Sequence, residues 1–161
     1  MKQVLRAVVG AVTMVGLLGT TAVAHATVIG GAASTAFVAH APSEAQFIDR
    51  MLARSVTNTD PVNAHNFVAN LGVVTGTGVA PTVNVYAWNH GTDTMTCWVI
   101  AVRMSDGTDQ APAASLSHTN SPTVLSIGLP ILGNGTKYAL NLFCAVPRNS
   151  STYIYGASVD I

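Results

Sequence analysis

The residues of this chain that could support acid–base or metal chemistry are few and far apart. Beyond the first 26 positions the histidines are His40, His65, His90 and His118, and no two of them have the H-x-H or H-x-x-x-H spacing of a local metal site. This scatter is typical of polar loop residues, and it predicts no metal site and no cofactor. His90 is the most notable of the four because it follows Trp88 within a turn.

Motifs of the common hydrolases are absent from the sequence. There is no G-x-S-x-G nucleophile elbow, and the seven acidic residues do not form a recognisable catalytic pair. The loop Ser105–Asp109 offers two carboxylates that calcium could use, but it lacks EF-hand spacing, and Asp-Gly is common in ordinary turns. The sequence therefore predicts that the protein is not an enzyme and has no catalytic residues.

Two pairs of aromatic residues occupy alternate positions in segments with strand character. Tyr86 and Trp88 form one pair, and Tyr153 and Tyr155 form the other, so the members of each pair share one face of a strand. Rings on an exposed sheet face can stack on sugar rings, whereas rings inside a sandwich pack against neighbouring strands. We treat these four residues as candidate ligand-binding residues and leave both alternatives open.

The two cysteines, Cys97 and Cys144, lie in apolar segments that are typical of strands. No C-x-x-C motif is present, and a thiol buried in an apolar strand would be unreactive. In an exported chain, two cysteines most simply form one disulfide. The sequence therefore predicts a structural disulfide that links two central strands.

The N-terminus has the three parts of a secretory signal peptide. A basic start precedes the uncharged apolar run Ala7–Leu18, and Ala24–Ala26 fits a cleavage site with small residues. The apolar run is shorter than the roughly 20 residues of a membrane-spanning helix. We therefore expect residues 1–26 to be removed and residues 27–161 to form one secreted or periplasmic domain.

Charged residues make up only 9% of the sequence, against roughly 25% in typical soluble domains. Without the expected signal peptide the chain keeps five basic and seven acidic residues, with no cluster of basic residues. This composition argues against binding to nucleic acid and against electrostatic binding to a membrane. It is typical of secreted β-proteins and of assembly subunits.

Apolar segments separated by turn residues predict the elements that would position the candidate residues. Thr82–Val102 predicts a hairpin whose strands are joined by the polar turn Asn89–Asp93, and Asn134-Gly135 predicts a second hairpin. Ser105–Pro122 is predicted to be a long loop. Together these patterns predict an all-β fold, an antiparallel β-sandwich of about six to eight strands.

The strand that contains Cys97 is apolar on both faces. Trp98, Ile100 and Val102 alternate with Cys97 and Val99. This pattern predicts a strand that is covered on both sides.

The segment Ser43–Arg54 is compatible with two structures. Ser43 and Gln46 match a capping box, and four apolar residues fall on one helical face, which together indicate a short helix. Phe47–Val56 can equally form an extended strand. Both alternatives stay open from the residues alone.

The chain from Val56 onward resembles a group of uncharacterised exported bacterial proteins. The segments that carry the resemblance are Val56–Thr59, Val83–Trp88, Cys97–Val99 and Tyr138–Pro147. Such proteins look like small disulfide-linked β-sandwiches, and the resemblance implies no activity. Similar proteins often have a second cysteine pair, which is absent here because Val68–Asn70 contains no cysteine. The resemblance also favours a strand over Phe47–Val56.

These observations support two hypotheses about function. The first is an exported, non-enzymatic β-sandwich with a structural or surface-interaction role, which includes self-association. The alternative is a carbohydrate-binding or cell-envelope-binding module that uses the two aromatic pairs on a sheet face. The sequence identifies no particular partner for either role.

Overall fold

The computed structural model of the protein describes residues 37–51 and 55–161. These residues form an antiparallel β-sandwich of two sheets with one disulfide, which confirms the fold class predicted from the sequence. The expected signal peptide, residues 1–26, lies outside the described residues, as does the segment 27–36. Within the described ranges, no helix is long and apolar enough to span a membrane.

Eleven strands occur in the described part of the chain, and six of them contain six or more residues. These six correspond to the strands that hydrophobic alternation predicts, and the other five are short. In chain order the strands are β1 (Phe37–Ala39), β2 (Ile48–Met51), β3 (Ser55–Asn58), β4 (His65–Thr75), β5 (Thr82–Asn89), β6 (Met95–Arg103), β7 (Asp109–Gln110), β8 (Ala113–Leu116), β9 (Thr123–Gly128), β10 (Lys137–Val146) and β11 (Thr152–Asp160).

The strands form two sheets that share one apolar core. Sheet 1 has the order β1-β4-β10-β6-β7, with β8 also paired to β6, and sheet 2 has the order β2-β3-β11-β5-β9. Every second residue of the long strands points inward, and residues such as Phe67, Val85 and Leu142 are completely buried. The residues between them face outward and are half-buried or exposed.

The disulfide joins Cys97 of β6 to Cys144 of β10. The two residues are directly opposite each other on neighbouring interior strands of sheet 1. Both are completely buried in the core between the sheets. This arrangement confirms the predicted disulfide between central strands.

Both predicted hairpins are wrong, although the turns exist. β5 belongs to sheet 2 and β6 to sheet 1, so Asn89–Asp93 carries the chain across the end of the sandwich. Asn134-Gly135 likewise lies between β9 of sheet 2 and β10 of sheet 1. The physical reason is that two strands joined by a turn can bury their apolar faces either side by side in one sheet or face to face across the core.

The segment Ser43–Arg54 is helical and extended in turn over its described part. A 3₁₀ helix spans Pro42–Phe47, and β2 follows it immediately. The carboxylate of Glu44 accepts a hydrogen bond from the backbone N–H of Ala41 at 3.3 Å, so the helix begins earlier than the predicted cap. Each of the two alternatives is therefore correct for part of the segment.

The predicted loop Ser105–Pro122 contains two short strands. β7 and β8 both pair antiparallel with β6 at the edge of sheet 1. Strands of two and four residues are too short to produce a recognisable alternation of apolar and polar residues. The interpretation of this segment as a loop was therefore incomplete.

Candidate functional site

The four aromatic candidate residues lie on β5 and β11, which pair antiparallel in sheet 2. Tyr153 is directly opposite Trp88, and Tyr86 is opposite Gly156 because the register shifts at Tyr155. Tyr86 is 43% exposed, and the other three are half-buried. The rings are therefore neither core residues nor a fully exposed row.

Trp88, His90 and Tyr153 form a cluster of rings in mutual contact. The imidazole of His90 stacks on Tyr153 with ring centroids 5.5 Å apart and planes inclined by 15°. Trp88 lies 5.0 Å from His90 and 6.2 Å from Tyr153, measured between centroids. The indole Nε1 donates a hydrogen bond to the carbonyl oxygen of Thr119 at 3.1 Å, which holds the ring in place. We call Tyr86, Trp88, His90 and Tyr153 the aromatic surface.

Two tyrosines beside the cluster offer hydroxyl groups. The Tyr86 hydroxyl lies 3.4 Å from Oγ of Ser158 on the neighbouring strand. Burial, with a smaller contribution from nearby Tyr153, raises the pKa of Tyr155 above its ordinary value. Tyr155 therefore keeps its proton at neutral pH and can donate a hydrogen bond. Ligand contact by these tyrosines stays a prediction.

An open polar cleft adjoins His90 at the end of the sandwich. Its volume is about 310 Å³, which is at the lower end of the range of small-ligand sites. Its lining includes His90, Asp93, Arg148, Asn149 and Ser151. Arg148 Nε lies 3.4 Å from Asp93 Oδ2, and both side chains are about half exposed, so each has hydrogen-bonding capacity left for a ligand.

Asn89, the fully buried last residue of β5, holds this end of the sandwich together. Its Nδ2 donates to the carbonyl oxygen of Asp93 at 2.8 Å, and its Oδ1 accepts from the Thr152 hydroxyl at 3.0 Å. Gly91 is needed for the close approach of the two turns, because a Cβ there would lie 2.5 Å from the Cβ of Ser151. These contacts fix His90 and Asp93 beside β11.

The sequence predicts the aromatic residues of the site but gives no indication of the cleft. The residues Arg148–Ser151 are typical of a turn, but nothing in the sequence indicates that this turn meets Asn89–Asp93 in space. The two turns meet because Trp88 and Tyr153 are paired, which brings the end of β5 beside the start of β11. The signal available in the sequence is an aromatic residue next to a polar turn, which occurs at both Trp88 and Tyr153.

Asp60, His65 and Glu44 form a second polar cluster that the sequence did not indicate. His65 Nε2 lies 2.8 Å from Asp60 Oδ2, and His65 Nδ1 lies 3.3 Å from Glu44 Oε1. The ring of Phe47 stacks on the imidazole with centroids 4.8 Å apart. The interpretation of His65 as a loop residue was wrong, because it is the buried first residue of β4. Since both ring nitrogens face carboxylates, we infer that this cluster has a structural role.

The Asp60 cluster predicts a specific sensitivity to acid. The pKa of Asp60 lies well below its ordinary value because the carboxylate accepts backbone hydrogen bonds from Val62 and Asn63 and also pairs with His65. The unfolded chain binds this proton near pH 4, whereas the folded protein does not. Asp60 therefore stabilises the fold above about pH 4, and this contribution is lost as the pH falls further.

We expect the melting temperature of the unaltered protein to fall more steeply between about pH 5 and about pH 2 than that of the Asp60→Asn variant. Circular dichroism melts over this range measure the difference. Asp49→Asn is the matched control, because it removes one exposed carboxylate on β2. An Asp60→Asn slope equal to that of the unaltered protein would contradict the interpretation.

Comparison with known proteins identifies no sequence relative. No protein-family model matches the chain, and no curated protein matches it. Solved structures with a similar arrangement of strands include carbohydrate-binding modules. The xylan-binding module CBM15 is 13% identical, with 83% of this chain and 92% of that chain covered and a TM-score of 0.47.

Two further modules are similar at the same level. TmCBM61, solved in complex with β-1,4-galactotriose, is 11% identical, with 65% of this chain and 68% of that chain covered and a TM-score of 0.41. The CBM35 of Cellvibrio japonicus Abf62 is 15% identical, with coverages of 65% and 70% and a TM-score of 0.39. A likeness at this level identifies neither a family nor a ligand for the present chain.

Proposed function

We propose that this protein binds carbohydrate on the outer face of sheet 2, through the aromatic surface and the adjoining cleft. The observation that carries the proposal is the contact between Trp88, His90 and Tyr153, whose rings lie half-exposed beside an open polar cleft. This function is the alternative that the sequence left open beside a structural role, and the geometry supports it better.

The aromatic surface suits the apolar faces of sugar rings. Trp88 and Tyr153 combine a broad apolar ring with a polar group at its edge, and such side chains pack against ligands that are apolar on one side and polar on the other. Their rings are held by pairing across β5 and β11 and by the Trp88 hydrogen bond, so little conformational entropy is lost on binding.

The cleft suits the hydroxyl groups of a sugar. Arg148 supplies N–H donors, and Asp93 supplies carboxylate acceptors a short distance away. Because the two charges balance each other, the cleft has no net positive charge that would select an acidic sugar, and we expect it to bind a neutral one. A sugar stacked on the aromatic surface would therefore extend into the cleft with its hydroxyl groups towards Asp93 and Arg148.

Binding to a panel of neutral and acidic polysaccharides tests the proposal, first by affinity electrophoresis and then by calorimetry. We expect the Tyr153→Ala variant to bind the preferred neutral glycan at least about fivefold more weakly, since a stacked ring contributes roughly 1 kcal/mol or more. Tyr153→Phe keeps the ring and should keep most of the affinity.

Met104→Ala is the matched control, because Met104 is 58% exposed and lies outside the proposed site. Equal affinity of the Tyr153→Ala variant and the unaltered protein would contradict the proposed site. An absence of binding to every glycan of the panel would contradict the proposed function.

A further inference from the structure

The outer face of sheet 1 is nearly free of charge and carries two rows of apolar residues, with the paired Asn70 and Asn141 between them. One row of paired residues runs across five of its strands, and these residues are Val38, Val68, Phe143, Trp98 and Ala113. Further outward-facing residues are Ile100, Val102, Ala139 and Val73. Among the outward positions of the described strands of sheet 1, the charged residues Lys137 and Asp109 lie at the rim. We call this set of apolar residues the apolar face.

Large side chains stand at the centre of the apolar face. The rings of Trp98 and Phe143 are nearly parallel, with planes inclined by 7° and centroids 5.7 Å apart, and both are half-buried. Val38 and Val73 remain 51% and 55% exposed. An apolar centre with charge only at the rim is the usual anatomy of a protein–protein interface.

We propose that a second copy of this chain covers the apolar face. His40 lies on this face, with its ring edge-on to Phe143 and the centroids 5.7 Å apart. Because the other central residues named here carry no charge, two copies meet with little like-charge repulsion, and a two-fold axis brings the same patch of each copy together. The face also lacks the ion pair and the polar cleft that accompany the aromatic surface on sheet 2. A sheet of this kind therefore fits another apolar sheet better than it fits a hydroxyl-rich ligand.

The outward residues of the face give the area that a dimer would bury. Most outward positions of the face lie on β4, β6 and β10, whereas the three-residue β1 and the four-residue β8 contribute only one and two. With strands about 4.8 Å apart, these positions cover roughly 500 Å². Two copies would bury roughly 1,000 Å² in total, which is at the lower limit of specific protein interfaces. We therefore expect a weak dimer, with a dissociation constant on the order of 10 µM.

Dimer formation through sheet 1 would also explain why β6 is apolar on both of its faces. The sequence predicts that β6 is covered on both faces, and its inward face is buried in the core of one copy. Its outward residues Trp98, Ile100 and Val102 would be covered by the partner copy. Face-to-face packing of sheets about 10 Å apart allows such side chains to interdigitate.

Sedimentation equilibrium of the purified protein, from about 1 µM to about 500 µM, tests the dimer, since this range brackets the expected dissociation constant. We expect the average mass to rise from one copy to two across the range. Val73→Lys adds a charge at an exposed position of the apolar face, and Trp98→Lys adds one at its centre. Both should weaken the dimer at least tenfold. Val124→Lys, at a 46% exposed position on sheet 2, should leave it unchanged.

Circular dichroism melts establish whether each variant is folded. If the Trp98→Lys variant does not fold, the Val73→Lys variant alone tests the dimer. A mass of one copy at every concentration would overturn the proposal. A dimer that Val73→Lys leaves intact, or that Val124→Lys disrupts, would also overturn it. Binding of a glycan to Trp98 in a monomeric protein would also overturn the proposal, because the apolar face would then be a second ligand-binding surface.

The dimer has a consequence that, unlike the dimer itself, depends on the proposed function. Two copies paired through sheet 1 carry their aromatic surfaces on opposite outer sides. Each dimer would then hold two glycan chains, and a glycan matrix would retain it more strongly than one site allows. If Val73→Lys weakens retention on an insoluble glycan but not the affinity for a soluble oligosaccharide, the dimer is the cause. If the unaltered protein shows neither retention on the insoluble glycan nor affinity for the soluble oligosaccharide, the proposed function is contradicted and the proposed dimer is not affected.

Discussion

Replacing Cys97 and Cys144 together by alanine is expected to lower the free energy of unfolding by about 4 kcal/mol. The disulfide closes a loop with a sequence separation of 47. Without the cross-link the unfolded chain gains the conformations that this loop closure forbids. Since a small domain has a total stability of only about 5–15 kcal/mol, this single change would remove a large part of it.

Urea unfolding followed by circular dichroism measures this effect. The matched control is the unaltered protein after reduction in urea and refolding with the reductant present, so that it has lost the cross-link but keeps both cysteine side chains. The reduced protein and the double variant should have similar stabilities if the cross-link dominates. A difference of less than about 1 kcal/mol between the oxidised protein and both of these would contradict the expectation.

Reductant alone should leave the folded protein oxidised. Both sulfur atoms belong to completely buried residues between the two sheets, so a thiol in solution reaches them only when the sandwich opens. Loss of the disulfide should therefore follow the rate of unfolding.

Asn89→Ala is expected to destabilise the fold by about 3 kcal/mol and to impair the proposed site at the same time. The amide of Asn89 donates to the carbonyl oxygens of Asp93 and Leu116 and accepts from the Thr152 hydroxyl, in a completely buried position. Alanine would remove these three hydrogen bonds, at about 1 kcal/mol each, and would leave the completely buried Thr152 hydroxyl without this partner.

The turn that carries His90 depends on the same amide. We therefore expect the Asn89→Ala variant to bind glycan more weakly even under conditions where it is fully folded. Asn84→Ala is the matched control, because Asn84 lies on the same strand, faces outward and bonds to the exposed Asp160 at 2.7 Å. Equal stability of the Asn89→Ala and Asn84→Ala variants, measured by urea unfolding, would contradict the role of the buried amide.

The long strands and the disulfide could be predicted because their signals are local. Alternation of apolar and polar residues identifies the buried face of a strand wherever five or more residues follow it, as in β5 and β10. Two cysteines allow only one intramolecular pairing. Alternation does not indicate which strands are neighbours. The hairpin predicted over Thr82–Val102 is therefore wrong, because its two strands belong to opposite sheets.

The candidate site was only half predictable for the same reason. The four aromatic residues could be named because each pair shares one strand. Asp93 and Arg148 are far apart in sequence, and they meet only because β5 pairs with β11. The burial of His65 between two carboxylates also depends on tertiary packing, since nothing in the residues beside it separates a buried histidine from an exposed one.

Tryptophan fluorescence tests the central claim most directly, because the chain has two tryptophans and they lie on opposite sheets. The Trp98→Phe variant leaves Trp88 as the only indole, and the Trp88→Phe variant leaves Trp98. At one fixed protein concentration, titration with a neutral oligosaccharide that the protein binds should change the emission of Trp88 and leave that of Trp98 constant. A change confined to Trp98, or binding that alters neither tryptophan, would contradict carbohydrate binding on the outer face of sheet 2.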